Sequence, residues 1–175
     1  MLVRPAREPD FEAIAALTNY FIRETTIHFG TVEQGASELL EQWRTARDRY
    51  PFLVAEVDGR FAGYCKAYQW RSREAYQWTP ECGVYVEEFA RRRGVARALY
   101  VQLFDVLARH GFHSVVAGIA LPNEPSVRLH ESLGFAASGI VRDAGWKLGR
   151  WVDVGFWQKL LGPGAPPKAL EKPRD

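Results

Sequence analysis

At 175 residues, 47% apolar and 25% charged, the chain fits one globular domain with room for a proper core. A net charge of +2 is too small to argue for nucleic acid, no apolar run approaches the ~20 residues of a membrane span, and Met1 to Arg7 has no signal-peptide hydrophobic stretch. Cys65 and Cys82 make neither a disulfide framework nor a metal-ligand spacing, so no metal and a reducing, cytoplasmic setting are expected.

Leu2 to Ala6 reads as a short strand, and Pro9-Asp10 starts a helix with apolar residues at Phe11, Ile14, Leu17, Phe21 and Ile22, close to helical period. Glu24 to Gln34 reads as a loop. Leu39, Leu40 and Trp43 mark a second helix that ends before Pro51. Phe52–Val57 and Arg60–Tyr68 are strands joined by Asp58-Gly59, a strong hairpin signal. Trp70 to Pro80 is a loop dense in rings and charges; Glu81–Val86 is a strand, Arg97–His110 a helix closed by Gly111, and Ser114–Leu121 a Val/Ile-rich strand. Asn123 reads as the N-cap of a helix that tolerates Pro125 in its first turn, runs to Leu133 and stops at Gly134. Two strands, near Ala136–Ala144 and Val152–Lys159, complete a single domain over 1–161. The remainder, 162–175, holds four of the ten prolines (Pro163, Pro166, Pro167 and Pro173) and reads as a disordered tail. The order β-α-α-β-β-β-α-β-α-β-β gives a mixed α+β sheet with helices on both faces.

The segment with the most chemistry is Arg91-Arg92-Arg93-Gly94-Val95-Ala96-Arg97, between the strand Glu81–Val86 and a helix. A strand, a basic glycine turn and a helix start aim unpaired backbone N–H groups and the positive end of a helix dipole at one point. Gly94 permits close backbone approach, Ala96 is nearly as small, and the arginines reinforce the field. The spacing alone fits a phosphate or pyrophosphate site, and equally an ordinary βα turn with solvated arginines.

Arg91-x-x-Gly94-x-Ala96 also matches the Q/R-x-x-G-x-G/A signature of the general-control-related N-acetyltransferase superfamily (GNAT), and the element order agrees. The chain further resembles the phosphinothricin N-acetyltransferases in ETTIHF (24–29), RYPFLVAEVDG (49–59), REAYQWTPECGVYV (73–86), ALPNEPSVRLHESLGF (120–135) and AGWKLGRWVDVGFWQ (144–158). The resemblance implies a splayed, mostly antiparallel sheet and acetyl-CoA as donor. Its pyrophosphate would lie on the backbone from Arg92 to Arg97 and its pantetheine arm along Val84, Tyr85 and Val86. Asn123 sits where the family has a coenzyme-contacting Asn, so its side chain serves either that role or the cap.

Acetyl transfer from a thioester to an amine needs a base for the ammonium, donors for an oxyanion and an exit for a thiolate. Glu81, a charged residue opening an apolar strand, is either a solvated strand-start residue or the base; the resemblance implies the base. His130 shares a helix face with Val127 and Leu133, as a core histidine would. The resemblance implies a general acid or proton relay there. A backbone N–H at Tyr85 or Val86 would meet the oxyanion, and a covalent route through Cys82 is not needed. The resemblance places Phe29, Arg71, Arg73 and Tyr76 at the acceptor, an amino-acid-like amine such as phosphinothricin, methionine sulfone or methionine sulfoximine. Lys66, Tyr68 and Gln69 depart from the small or apolar residues usual there, which bears on specificity if either of the first two points inward. The competing functions are a non-catalytic acyl-CoA sensor and a peptide acetyltransferase. A homodimer through the Trp-rich last strands is implied by resemblance.

Overall fold

A computed structural model describes residues 1–162. The tail assigned to 162–175 therefore lies, apart from Gly162, outside the described residues. The elements are β1 (Leu2–Pro5), α1 (Phe11–Glu24), α2 (Ala36–Ala46), β2 (Phe52–Val57), β3 (Arg60–Gln69), β4 (Pro80–Val86), α3 (Val95–Arg109), β5 (Ser114–Leu121), α4 (Glu124–Ser132), β6 (Ala136–Lys147) and β7 (Arg150–Leu160). They form one seven-stranded sheet in the order β1-β2-β3-β4-β5-β7-β6. Every neighbouring pair is antiparallel except β4 and β5.

Period-2 alternation gives the sheet two apolar faces. One carries Val54 and Tyr64 against α1 and α2, with Phe11, Ile14, Leu17 and Phe21 buried as their helical spacing requires. The other carries Leu53, Ala55, Cys65 and Val115 against α3. Leu99, Leu103 and Leu107 of α3 are 0% exposed. Each contributes roughly 1.5–3 kcal/mol by burial, more than the ~1 kcal/mol of a side-chain cap. Packing therefore holds α3, and its N-terminus has no capping side chain. At β1, Arg4 bonds both carboxylate oxygens of Asp10 at 2.7 Å and reaches Glu56 at 2.6 Å, tying β1, the start of α1 and β2 together.

Two boundaries differ from the sequence reading. Helix α3 begins at Val95, two residues early, because Gly94 takes the left-handed conformation (φ 80°) that turns the chain into it. Strands β6 and β7 run through the gap left between 144 and 152 as one long hairpin, turned at Leu148-Gly149 with φ of 49° and 75°. The Asp58-Gly59 turn has the same pair of positive φ values, 54° and 74°.

Candidate active site

The sheet opens between β4 and β5. Their N-terminal ends are pinned: the Trp78 carbonyl accepts from the N–H groups of His113 (3.0 Å) and Ser114 (3.4 Å), and the Thr79 and Ser114 hydroxyls meet at 2.8 Å. Only Glu81 and Val116 then pair, and beyond them no register joins the two strands. β5 stays bound to β7 from Ser114 to Leu121, and β4 to β3 from Pro80 to Val86. The result is a gap in the sheet bordered by Val84, Tyr85 and Val86.

Glu81 sits at the apex. Alternation sends Glu81, Gly83 and Tyr85 to one face, opposite Tyr68, Lys66 and Tyr64 of β3 respectively. These residues, with Ile27, Phe29 and Gly30 of the 24–34 loop, Arg71, and Val154 and Phe156 of β7, border a cavity of about 620 Å³; of the six strand residues only Tyr64 is not in its wall. Burial raises the Glu81 pKa above the ordinary carboxylate value, while a hydrogen bond from the Tyr68 hydroxyl, the Arg71 charge and the Gly118 N–H act the other way. A carboxyl with a raised pKa in a cavity suits proton abstraction near neutral pH. Gly118 makes the site possible, since a Cβ there would lie 2.9 Å from Glu81 Oε1. Gly145 does the same for the Phe29 ring, whose Cε2 would be 2.6 Å from an added Cβ. The His28 imidazole, pushed down to about 4 by burial and by the Lys66 and Lys147 charges, is neutral at working pH.

The structure brings Phe29, Arg71, Tyr85 and Glu81 together at this cavity. It does not bring Arg73 or Tyr76 there. Arg73 lines an adjoining outer groove with Arg49 and Glu74, which Arg71 also borders, and Tyr76 lies edge-on to Trp70 at 5.4 Å on the exposed side of the same loop. His130 is 2% exposed and also outside the cavity. Its Nδ1–H donates to the Ser126 carbonyl (2.8 Å), leaving Nε2 to accept from the Tyr100 hydroxyl at 3.1 Å. Burial lowers its pKa, so the imidazole is held neutral. Tyr100 also hydrogen-bonds Cys82, whose thiol burial pushes up to about 12, far from a thiolate nucleophile.

At the turn, Arg92 and Gly94 have φ of 60° and 80°, and a Cβ on Gly94 would meet no protein atom within 4 Å. The amides of Val95, Ala96 and Arg97 occupy the first turn of α3, where the helix itself supplies no partner. Three arginines are committed elsewhere: Arg91 to the Val86 carbonyl and over the Phe21 ring, Arg93 to Asp58 at 3.7 Å, and Arg97 to Ser132 at 2.7 Å. The turn's capacity for an anion therefore resides in its backbone more than in these side chains. Asn123 caps α4, its Oδ1 accepting from the Ser126 N–H at 3.3 Å.

The sequence reading passed over Gly118, Gly145 and Tyr100, and weighed Tyr68 only conditionally. A lone glycine inside the apolar run 114–121 was a legible sign of close approach. Tyr68 meets Glu81 through the β3–β4 register, which is set across the long 70–79 loop rather than by a two-residue turn, so the sequence held no count that placed it there. Tyr100 carried no local signal, because its partners come from β4 and α4.

Residues 3–155 match the acetyltransferase (GNAT) domain. A phosphinothricin N-acetyltransferase of Streptomyces viridochromogenes is 46% identical, covering 96% of this chain and 92% of the relative. An L-methionine sulfoximine/L-methionine sulfone acetyltransferase of Salmonella typhimurium is 36% identical, with 97% and 99% covered. Among solved structures, the Salmonella typhimurium protein yncA with its cofactor acetyl-CoA superposes with a TM-score of 0.92 at 34% identity, covering 97% of this chain and 98% of that one. A phosphinothricin acetyltransferase from Sinorhizobium meliloti in complex with acetyl-CoA gives 0.91 at 28% identity, with 95% and 92% covered. The chain belongs to the GNAT acetyltransferase family. Within it, the chain is an N-acetyltransferase of the group whose relatives act on small amino-acid-like amines.

Proposed function

We propose that the protein moves acetyl from acetyl-CoA to the amine of a small amino acid, with Glu81 as the base. The observation that carries this reading is a half-buried carboxylate at the one register pair that joins β4 to β5. A thioester entering the gap from the Gly94 side would arrive beside it. The coenzyme fits the residues present: the first-turn amides of α3 have no side-chain cap, and the space over Gly94 is open. In this reading the pyrophosphate lies on the Arg92–Arg97 backbone and the pantetheine runs along Val84 to Val86.

Glu81 takes one proton from the acceptor ammonium, directly or through a water, and the amine attacks the thioester carbon. A backbone N–H at Tyr85 or Val86 meets the oxyanion, a contact worth a few kcal/mol (about 3). The C–S bond then breaks, and the second amine proton leaves toward the sulfur. His130 gives no proton to this step as arranged, because its Nε2 accepts from Tyr100 and neither ring lines the cavity; a general-acid role would need the other tautomer and a turned Tyr100 hydroxyl. Arg71 holds the acceptor carboxylate and Phe29 walls its side chain. Arg73 and Tyr76 act, if at all, at the outer mouth of the loop.

Relatives named for phosphinothricin and for methionine sulfoximine or sulfone make these the acceptors to test. We assign the active form as a homodimer through the β6–β7 hairpin, whose Ile140, Trp146, Leu148 and Trp151 are all more than half exposed. The cytoplasm fits two buried, unpaired cysteines. A thiol-release assay with acetyl-CoA and an amine panel tests the activity. Coenzyme-dependent thiol release with an amino acid is expected, while coenzyme binding without release would make the protein a sensor instead.

A further inference from the structure

Lys66 lies in the wall of the cavity, on the same face as Glu81 and directly across from Gly83. Gly83 has no side chain to cover it, and an added Cβ would touch protein atoms no nearer than 3.6 Å. The glycine is therefore not demanded by packing, and its bareness leaves space in front of the lysine. Among the described residues no carboxylate pairs with Lys66, and burial alone lowers its pKa. Its Nζ sits instead between two rings, 5.9 Å from the Phe52 centroid and 5.7 Å from that of Tyr68. Ring faces support a cation but do not neutralise it.

The charges of the cavity wall then follow. Lys66 and Arg71 are its basic groups, His28 is neutral, and Glu81 is the lone carboxylate, which the reading above gives to the acceptor amine. An amino acid with a neutral side chain brings one ammonium and one carboxylate, leaving the half-buried Lys66 without a counter-charge. An amino acid with an acidic side-chain end matches all three groups.

We propose that Lys66 is a specificity residue that binds an oxyanion at the end of the acceptor's side chain, so that the preferred acceptor is an amino acid with an anionic side chain. This rests on the acetyl-transfer reading above and narrows its substrate class. Phosphinothricin and methionine sulfone provide the test: they share a skeleton and differ in a charged phosphinate against a neutral sulfone. The measurement is kcat/KM for each, in the wild-type enzyme and in Lys66→Met and Lys66→Arg, with thermal melting of every variant.

The wild type is expected to prefer phosphinothricin at least tenfold. Lys66→Met is expected to cut the phosphinothricin-to-sulfone ratio by at least tenfold, and Lys66→Arg to restore most of it. Glutamate, offered alongside, tells a carboxylate from a phosphinate end. A wild-type enzyme that does not discriminate, or a ratio that Lys66→Met leaves unchanged, overturns the inference while the acetyltransferase reading stands. Absence of turnover with every amino acid overturns both. Should Lys66→Met not fold, Lys66→Gln and the wild-type ratio decide the matter.

Discussion

Strand β4 ends in two different ways. At Glu81 the side chain is enclosed, bonded by Tyr68 and tuned by burial, and its position is set by β3, β5 and the 24–34 loop at once. Past Val86 the chain runs into an exposed turn whose useful groups are backbone amides, set by the φ of Gly94 and by the axis of α3. Chemistry at the first end depends on distant residues. In the proposed reading, binding at the second depends on one local conformation, so the two should fail separately.

The largest separation is expected from Glu81→Gln, which should lower kcat about 10²–10⁴-fold while calorimetry finds the acetyl-CoA affinity close to wild type. A large loss of coenzyme affinity would place Glu81 in the binding machinery instead. Gly94→Val should do the reverse. The left-handed φ costs a β-branched residue roughly 1–2 kcal/mol, and the new methyls project into the open space over the turn. The acetyl-CoA Kd should rise at least tenfold, and normal binding would remove the turn from the coenzyme site. Gly118→Ala sharpens the first end, because its Cβ displaces the Glu81 carboxylate. A misplacement of about 1 Å can cost up to 10²-fold, so kcat should fall while acetyl-CoA binding stays. The smallest effect belongs to the outer loop: Arg71→Ala should raise the acceptor KM more than Arg73→Ala does, and the reverse order would place Arg73 at the acceptor.

The same contrast governs what the sequence made legible. Helix α1 was readable because Phe11, Ile14, Leu17 and Phe21 repeat a 3.6-residue period, and all are buried. The glycine turn was readable because its conformation is set by contiguous backbone. The β6–β7 hairpin was under-read, since Gly145 and Gly149 look like loop residues. One clears space for Phe29 and the other makes a two-residue turn. At the cavity, Glu81, Phe29 and Arg71, singled out from the sequence, all line its wall. Arg73 and Tyr76 were not separable from Arg71 by position, because a loop's facing is set by the structure it packs on. The environment of His130 was likewise hidden: its face on α4 was legible, but its partner Tyr100 lies thirty residues away on α3.

The pH dependence bears most directly on the role of Glu81. A base must be deprotonated to act, so activity rises with pH through the Glu81 pKa, which burial has raised above the ordinary glutamate value. Tyr68→Phe removes a hydrogen bond that favours the carboxylate and should move that rise to still higher pH. The decisive measurement is kcat/KM for thiol release against pH in wild type, Tyr68→Phe and Glu81→Gln. The account predicts an acid limb in the wild type, its alkaline shift in Tyr68→Phe and its loss in Glu81→Gln. An identical limb in all three proteins would contradict it.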